Sequence, residues 1–211
     1  MRVPERAVVN VSMRPERIER FDAERAEMVL VHGDHHQLAH FGHAATARKS
    51  VAVVLSYFGE DIGSTSALVD RALALNPSFA RGWHVSGILR LRAGQPHLAI
   101  ERVETSLRLS PRGRVGLGLW VIGSAHFLSR RFDEAVPKLL VAIQDAPGFP
   151  DAYRHLAACY AHMGRLDEAR DVIERLRAIT PIVIPSIIYY RNPEHRDLFL
   201  SGLRSALSEE T

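Results

Sequence analysis

The chain has 211 residues, 46% of them hydrophobic and 24% charged, the make-up of an ordinary soluble protein with room for a full core. Its net charge of +3 is small and scattered, and only Lys49 and Lys138 are lysine, so nothing marks nucleic acid or an anionic membrane as a partner. A single cysteine, Cys159, excludes an internal disulfide, and no run of about 18 apolar residues is present to span a membrane, so a cytoplasmic protein is expected.

Residues 1–37 read as a loose or helical leader. AVVNVSM (7–13) suits a short strand, and residues 16–31 show partial helical spacing through Ile18, Phe21 and Met28. No continuous apolar stretch there is long enough for a signal peptide. From 38 to 58 the pattern becomes apolar and helical, ending at Gly59. Residues 65–75 form the next helix, with Leu68, Ala72 and Leu75 expected on its inner face. These two segments make a degenerate first helical pair, 38–79.

From Pro77 the chain repeats itself. Pro77, Pro111, Pro147 and Pro181 close the phrases LALNP, LRLSP, IQDAP and RAITP at spacings of 34, 36 and 34 residues. Midway lie GQPHLA (94–99), RRFDEA (130–135) and GRLDEA (164–169). A period of this length belongs to stacked helix–turn–helix units. The pairs are 80–113, 114–149 and 150–183. In each, a small residue on the first helix (Gly87, Gly123, Ala157) faces one on the second (Ala99, Ala135, Ala169), letting the backbones approach closely. Trp83, Tyr153 and Phe132 fill the space around those contacts. One pair cannot bury its apolar face alone, so neighbours stack.

After Pro181 the period stops. IVIPSIIYY, interrupted by Pro185, is expected to pack in extended form. Asn192 then caps a last helix that has Pro193 at its first position and turns Phe199, Leu203 and Leu207 inward. Residues 184–211 are thus an extended segment and a capping helix.

The sets Trp83, Gly87, Gly94, Ala99, Pro111 and Tyr153, Ala157, Tyr160, Gly164, Ala169, Pro181 resemble the tetratricopeptide repeat pattern across about 46–183. The resemblance implies an all-α, right-handed solenoid of antiparallel helix pairs closed by the capping helix, acting as a protein–protein interaction module and not as an enzyme. The phrases YFGEDIG, DRALALNPSFARGW, AIERVETSLRLSP, AACYAHMGRLDEAR and RNPEHRDLFLSGLR further resemble the C-terminal repeat region of bacterial class III adenylate cyclase-like proteins. In that family a cyclase or winged-helix domain precedes the repeats. Here about 45 residues precede them, too few for a cyclase domain, so cyclase activity is not carried over.

Other candidate chemistry has structural competitors. In HGDHHQLAHFGH, a helix would set His36, His40 and His43 on one face, a pattern that can present imidazoles to a transition metal. Gly42 breaks that helix, and a polar, frayed first helix is the favoured reading. Asp133/Glu134 and Asp167/Glu168 share one repeat offset at the start of a second helix, where the helix dipole favours negative charge. Cys159 lies inside a packed helix with no base beside it, and GEDIGST lacks the lysine of a phosphate loop. No cofactor is expected.

What remains is a concave groove lined by first-helix positions. By repeat offset its candidates are Arg81, His84, Ile88 and Arg92, then Trp120, Ser124 and Phe127, then Arg154 and His162. Trp120 and Phe127 are apolar anchors for a peptide, unless Trp120 fills core, and the arginines would pair with its carboxylates. The lysine–asparagine clamp that some such arrays use for a C-terminal carboxylate is absent: His84, Ile88, Val121, Asp151 and His155 occupy its offsets. The partner expected is a protein or peptide, with self-association through an array end as a further possibility.

Overall fold

In the computed structural model, residues 62–113, 115–185 and 190–208 are described. The leader, the first helix of the degenerate pair and His36, His40 and His43 lie outside the described residues. Every described element is an α-helix: α1 (Ile62–Leu75), α2 (Ala80–Arg92), α3 (Pro96–Leu109), α4 (Val115–Leu128), α5 (Phe132–Asp145), α6 (Pro150–His162), α7 (Leu166–Arg177) and α8 (Pro193–Leu207). Helices α2/α3, α4/α5 and α6/α7 are the three antiparallel pairs, A helix then B helix, and each B helix packs on the next A helix.

The turns show why the sequence folds this way locally. At the A-to-B turns the chain enters the left-handed region at Gly94 (φ 82), Arg130 (φ 57) and Gly164 (φ 74). Each turn closes with the same bond across the helix end: Gln95 N–H to Arg90 O, Arg131 N–H to His126 O and Arg165 N–H to Tyr160 O, all 2.9 Å. This is the Schellman pattern, which satisfies otherwise orphaned helical carbonyls. At the B-to-A turns the prolines act as acceptors. Trp83 Nε1–H donates to Pro77 O (2.7 Å) and Tyr153 O–H to Pro147 O (2.9 Å). The repeated proline and aromatic are thus two ends of one hydrogen bond.

Between helices the small residues do what their spacing implies. A Cβ on Gly87 would lie 2.4 Å from Val103 Cγ2 and 3.1 Å from Ala99 O. One on Gly123 would meet Leu139 Cγ at 2.8 Å and Ala135 O at 3.3 Å. The B helices present the stripes Ala99/Val103/Ser106, Ala135/Leu139/Ala142 and Ala169/Ile173/Leu176 to the core. One core cluster runs from Leu91 to Ala206, and a smaller one joins Val69 and Leu73 to Val85 and Leu89.

One detail differs from expectation. On α1, Leu68 and Leu75 face water and the helix buries Ile62, Thr65, Ser66, Val69 and Leu73. Apolar content misled there, because the inner face is partly hydroxyl. Pro137 lies within a continuous α5, where its ring leaves the carbonyl of Asp133 without its usual helical donor.

Candidate interaction surface

The A helices carry the candidate residues. Their expected groove is partly filled by the chain itself. Helix α8 packs chiefly on α6, less on α7, and reaches α4. That is unlike the array itself, where each A helix packs first on its own B helix and then on the preceding one, and neighbouring A helices touch only lightly. Thus α8 closes the array by lying over its A helices and does not continue the stack.

The path can be followed contact by contact. Beyond α7, Arg154 on α6 donates from Nε to Val183 O (3.0 Å) and from Nη2 to Ile182 O (2.6 Å), while Nη1 pairs with Asp151 (2.6 Å). A guanidinium held by a carboxylate grips two main-chain carbonyls here. Ile182 and Ile184 point outward, and Val183 packs against the core. Next, Tyr190 O–H donates to His155 Nε2 at 2.5 Å. His155 Nδ1–H donates to Asp151 O at 2.6 Å, which fixes the ring tautomer. Then Arg191 N–H donates to Arg92 O (2.9 Å) at the end of α2.

From that point α8 returns across the A helices. Its cap, Asn192 Oδ1, accepts from Glu194 N–H (2.9 Å), and Asn192 lies against Gly94 of the α2–α3 turn. Phe199 meets Phe127 (ring centroids 6.3 Å) and His155 (4.7 Å). His162 Nε2–H donates to Leu198 O (2.7 Å), and its ring stacks on Phe132 at 5.3 Å. Gly202 is the point of closest approach: a Cβ there would lie 2.8 Å from Ala158 Cβ and 2.9 Å from His162 Nε2.

The candidate residues therefore divide. Arg81 is exposed, and His84 and Ile88 are half-buried on α2. Arg92, Trp120, Ser124, Phe127 and Arg154 are buried, and His162 is half-buried under α8. Trp120 packs edge-on to Phe149 (5.0 Å) and His155 (6.0 Å), which makes it core between two pairs. Ser124 Oγ has no hydrogen-bond partner. Sequence reasoning missed Tyr190 and His155 as a pair. No spacing rule links residues 35 positions apart on a helix and a non-repeating segment.

Electrostatics follow burial. Burial pushes the pKa of His155 below the ordinary histidine value, against the raising effect of Asp151. It raises the Tyr190 hydroxyl and the Cys159 thiol, so neither ionises readily. Asp133/Glu134 and Asp167/Glu168 open α5 and α7 as their offset implied. Glu134, Glu168 and Asp167 pair with Arg131, Arg165 and Arg170. Among the described residues no group of three or more His, Cys, Asp or Glu side chains is placed to hold a metal, and no helix is long and apolar enough to cross a membrane.

Comparison with known proteins agrees with this architecture. Two tetratricopeptide repeat models match residues 85–148 and 126–181. No match was found among curated proteins. Among solved structures the chain is similar to TTC0263, a thermophilic TPR protein of Thermus thermophilus (22% identity, 77% of this chain and 86% of that one, TM-score 0.58). It is also similar to MamA (23% identity, 79% and 92%, TM-score 0.54). A third is YrrB, described as a TPR protein with an unusual peptide-binding site (22% identity, 77% and 84%, TM-score 0.51). At these identities the likeness speaks for fold. The chain carries tetratricopeptide repeats, built as an all-α solenoid of that type.

Proposed function

We propose that this protein is a non-catalytic interaction scaffold that takes a peptide segment of a partner protein on its A-helix face. One observation carries the reading: that face already binds peptide backbone, because Arg154 clasps the carbonyls of Ile182 and Val183. Outside the clasp, the α2 wall offers Arg81, exposed, with His84 and Ile88, half-buried. Glu134, Asp167 and Glu168 are tied to arginines and the cysteine is buried, which fits a scaffold better than an active site.

The test is selection of a displayed random-peptide library on the full chain, followed by titration of the selected peptides. Arg81→Glu with Ile88→Asp is expected to weaken them by at least about tenfold, the scale of losing one anchor and one charge pair. Unchanged affinity would remove this face as the site. A second reading rests on the phrases shared with cyclase-like proteins: a detached regulatory module of an adenylate cyclase-type signalling protein, itself non-catalytic. Cyclic AMP formed from ATP by the purified chain would sink both.

A further inference from the structure

Residues 181–185 and α8 occupy the A-helix face in the manner of a bound ligand. The recognition is of a kind that a segment from outside the chain could also satisfy. Arg154 reads two backbone carbonyls, His155 reads one phenol hydroxyl, and Phe127 takes one aromatic ring edge-on. The seam also bears marks of incomplete complementarity. His195 Nδ1 is buried without a partner, and Ile182 and Ile184 stay exposed beside the clasped carbonyls.

We propose that this C-terminal segment is a resident, displaceable ligand. The partner would carry a segment of the same chemistry: an extended stretch, a tyrosine, then a short helix bearing an aromatic residue and a small residue one turn later. The proposal rests on the reading of the A-helix face as a peptide-binding surface and adds that the surface is self-occupied. A tethered ligand competes at high effective concentration, so the apparent affinity for an outside segment falls by the fraction of molecules that are open.

The test uses the full chain and a fluorescein-labelled peptide of residues 181–208. Gly202→Leu should wedge α8 away from Ala158 and His162 without altering any array residue. The peptide is expected to bind the Gly202→Leu protein at least about tenfold more tightly than wild type, and to lose that gain when Arg154→Gln is added. Phe199→Ala opens the same seam more gently if Gly202→Leu abolishes the cooperative unfolding transition. Equal binding to wild type and opened protein, or none to either, overturns the proposal. A further readout needs no variant: in wild type the α8 amides should exchange with solvent at least about tenfold faster than those of α4, and equal protection overturns the displaceable ligand. If library-selected peptides bind both proteins alike while the 181–208 peptide binds neither, α8 is a fixed part of the fold and the scaffold reading stands. If no library peptide binds either protein, the scaffold reading falls and this proposal with it.

Discussion

Arg130 holds a backbone conformation that its two counterparts, Gly94 and Gly164, adopt without a side chain. An L-residue there is disfavoured by about 1–2 kcal/mol, and a glycine gives part of that back through greater freedom in the unfolded chain. Arg130→Gly is therefore expected to stabilise by roughly 1 kcal/mol, read as a higher midpoint in urea unfolding. Gly87 poses the opposite case. Alanine is worth about 1 kcal/mol more than glycine inside a helix. Its Cβ, however, would press on Val103, which is fully buried, and on the backbone of Ala99. Overpacking of this kind costs about 1–3 kcal/mol, so Gly87→Ala should lower the same midpoint, and a rise would show that the helices can part at no cost. Burial depresses the pKa of His155, and also of His126 and His195. Each is therefore more readily protonated in the unfolded chain than in the folded one. The stability that depends on their neutral form is complete above the ordinary value of 6.5 and is lost as pH falls below it. His155 alone contributes up to about 1.4 kcal/mol per pH unit in that range. The thermal midpoint should fall between pH 7.5 and pH 5.5 (roughly one unit either side of the histidine value), and a midpoint constant across that span would contradict the buried neutral ring.

At the scale of elements, what holds each pair is a zipper of small residues, and what orients the pairs is their turns. The helix starts matter most at α8, whose seat on the A helices has no repeat behind it. Asn192 supplies the cap by accepting from Glu194 N–H. Asn192→Ala should cost about 1 kcal/mol and speed exchange of the first-turn amides of α8, leaving those of α6 unchanged. Loss of protection throughout the array would instead show that the cap supports the whole fold. The array elements were legible because their partners lie at fixed offsets. Gly87 meets Val103 and Gly123 meets Leu139, both 16 residues on. A glycine and a branched residue at that separation, repeated one period later, record a helix contact in the letters. The inner face of α1 was not legible, since Thr65 and Ser66 are buried beside Val69 and hydroxyl residues carry no hydrophobic signal.

For the whole molecule, the consequence of α8 is that neighbouring pairs share a further packing element. Phe199 touches Phe127 of one pair and His155 of the next. Truncating either phenylalanine to alanine is expected to destabilise by about 3–5 kcal/mol. Because the two rings share one contact, their effects should not add, and a double-mutant cycle should give a coupling of about 0.5–3 kcal/mol. Additivity would place α8 off the α4 wall.

The sequence by itself determined the repeat: its period, its helix pairs, the turn glycines and the capped last helix. Those features depend on residues near one another along the chain and recur, so each occurrence reinforces the others. Only the tertiary structure decided where the non-repeating end goes. The contacts that place it join residues up to 99 positions apart, as in the bond between Arg92 and Arg191. They occur once each, and no period announces them. The same fact moved Phe127 and His162 from an open groove wall to the underside of α8, and put Arg154 against Ile182 and Val183. A repeat writes its packing into the chain many times over, whereas a single docked helix is specified only by the shape and polarity of the surface on which it comes to rest.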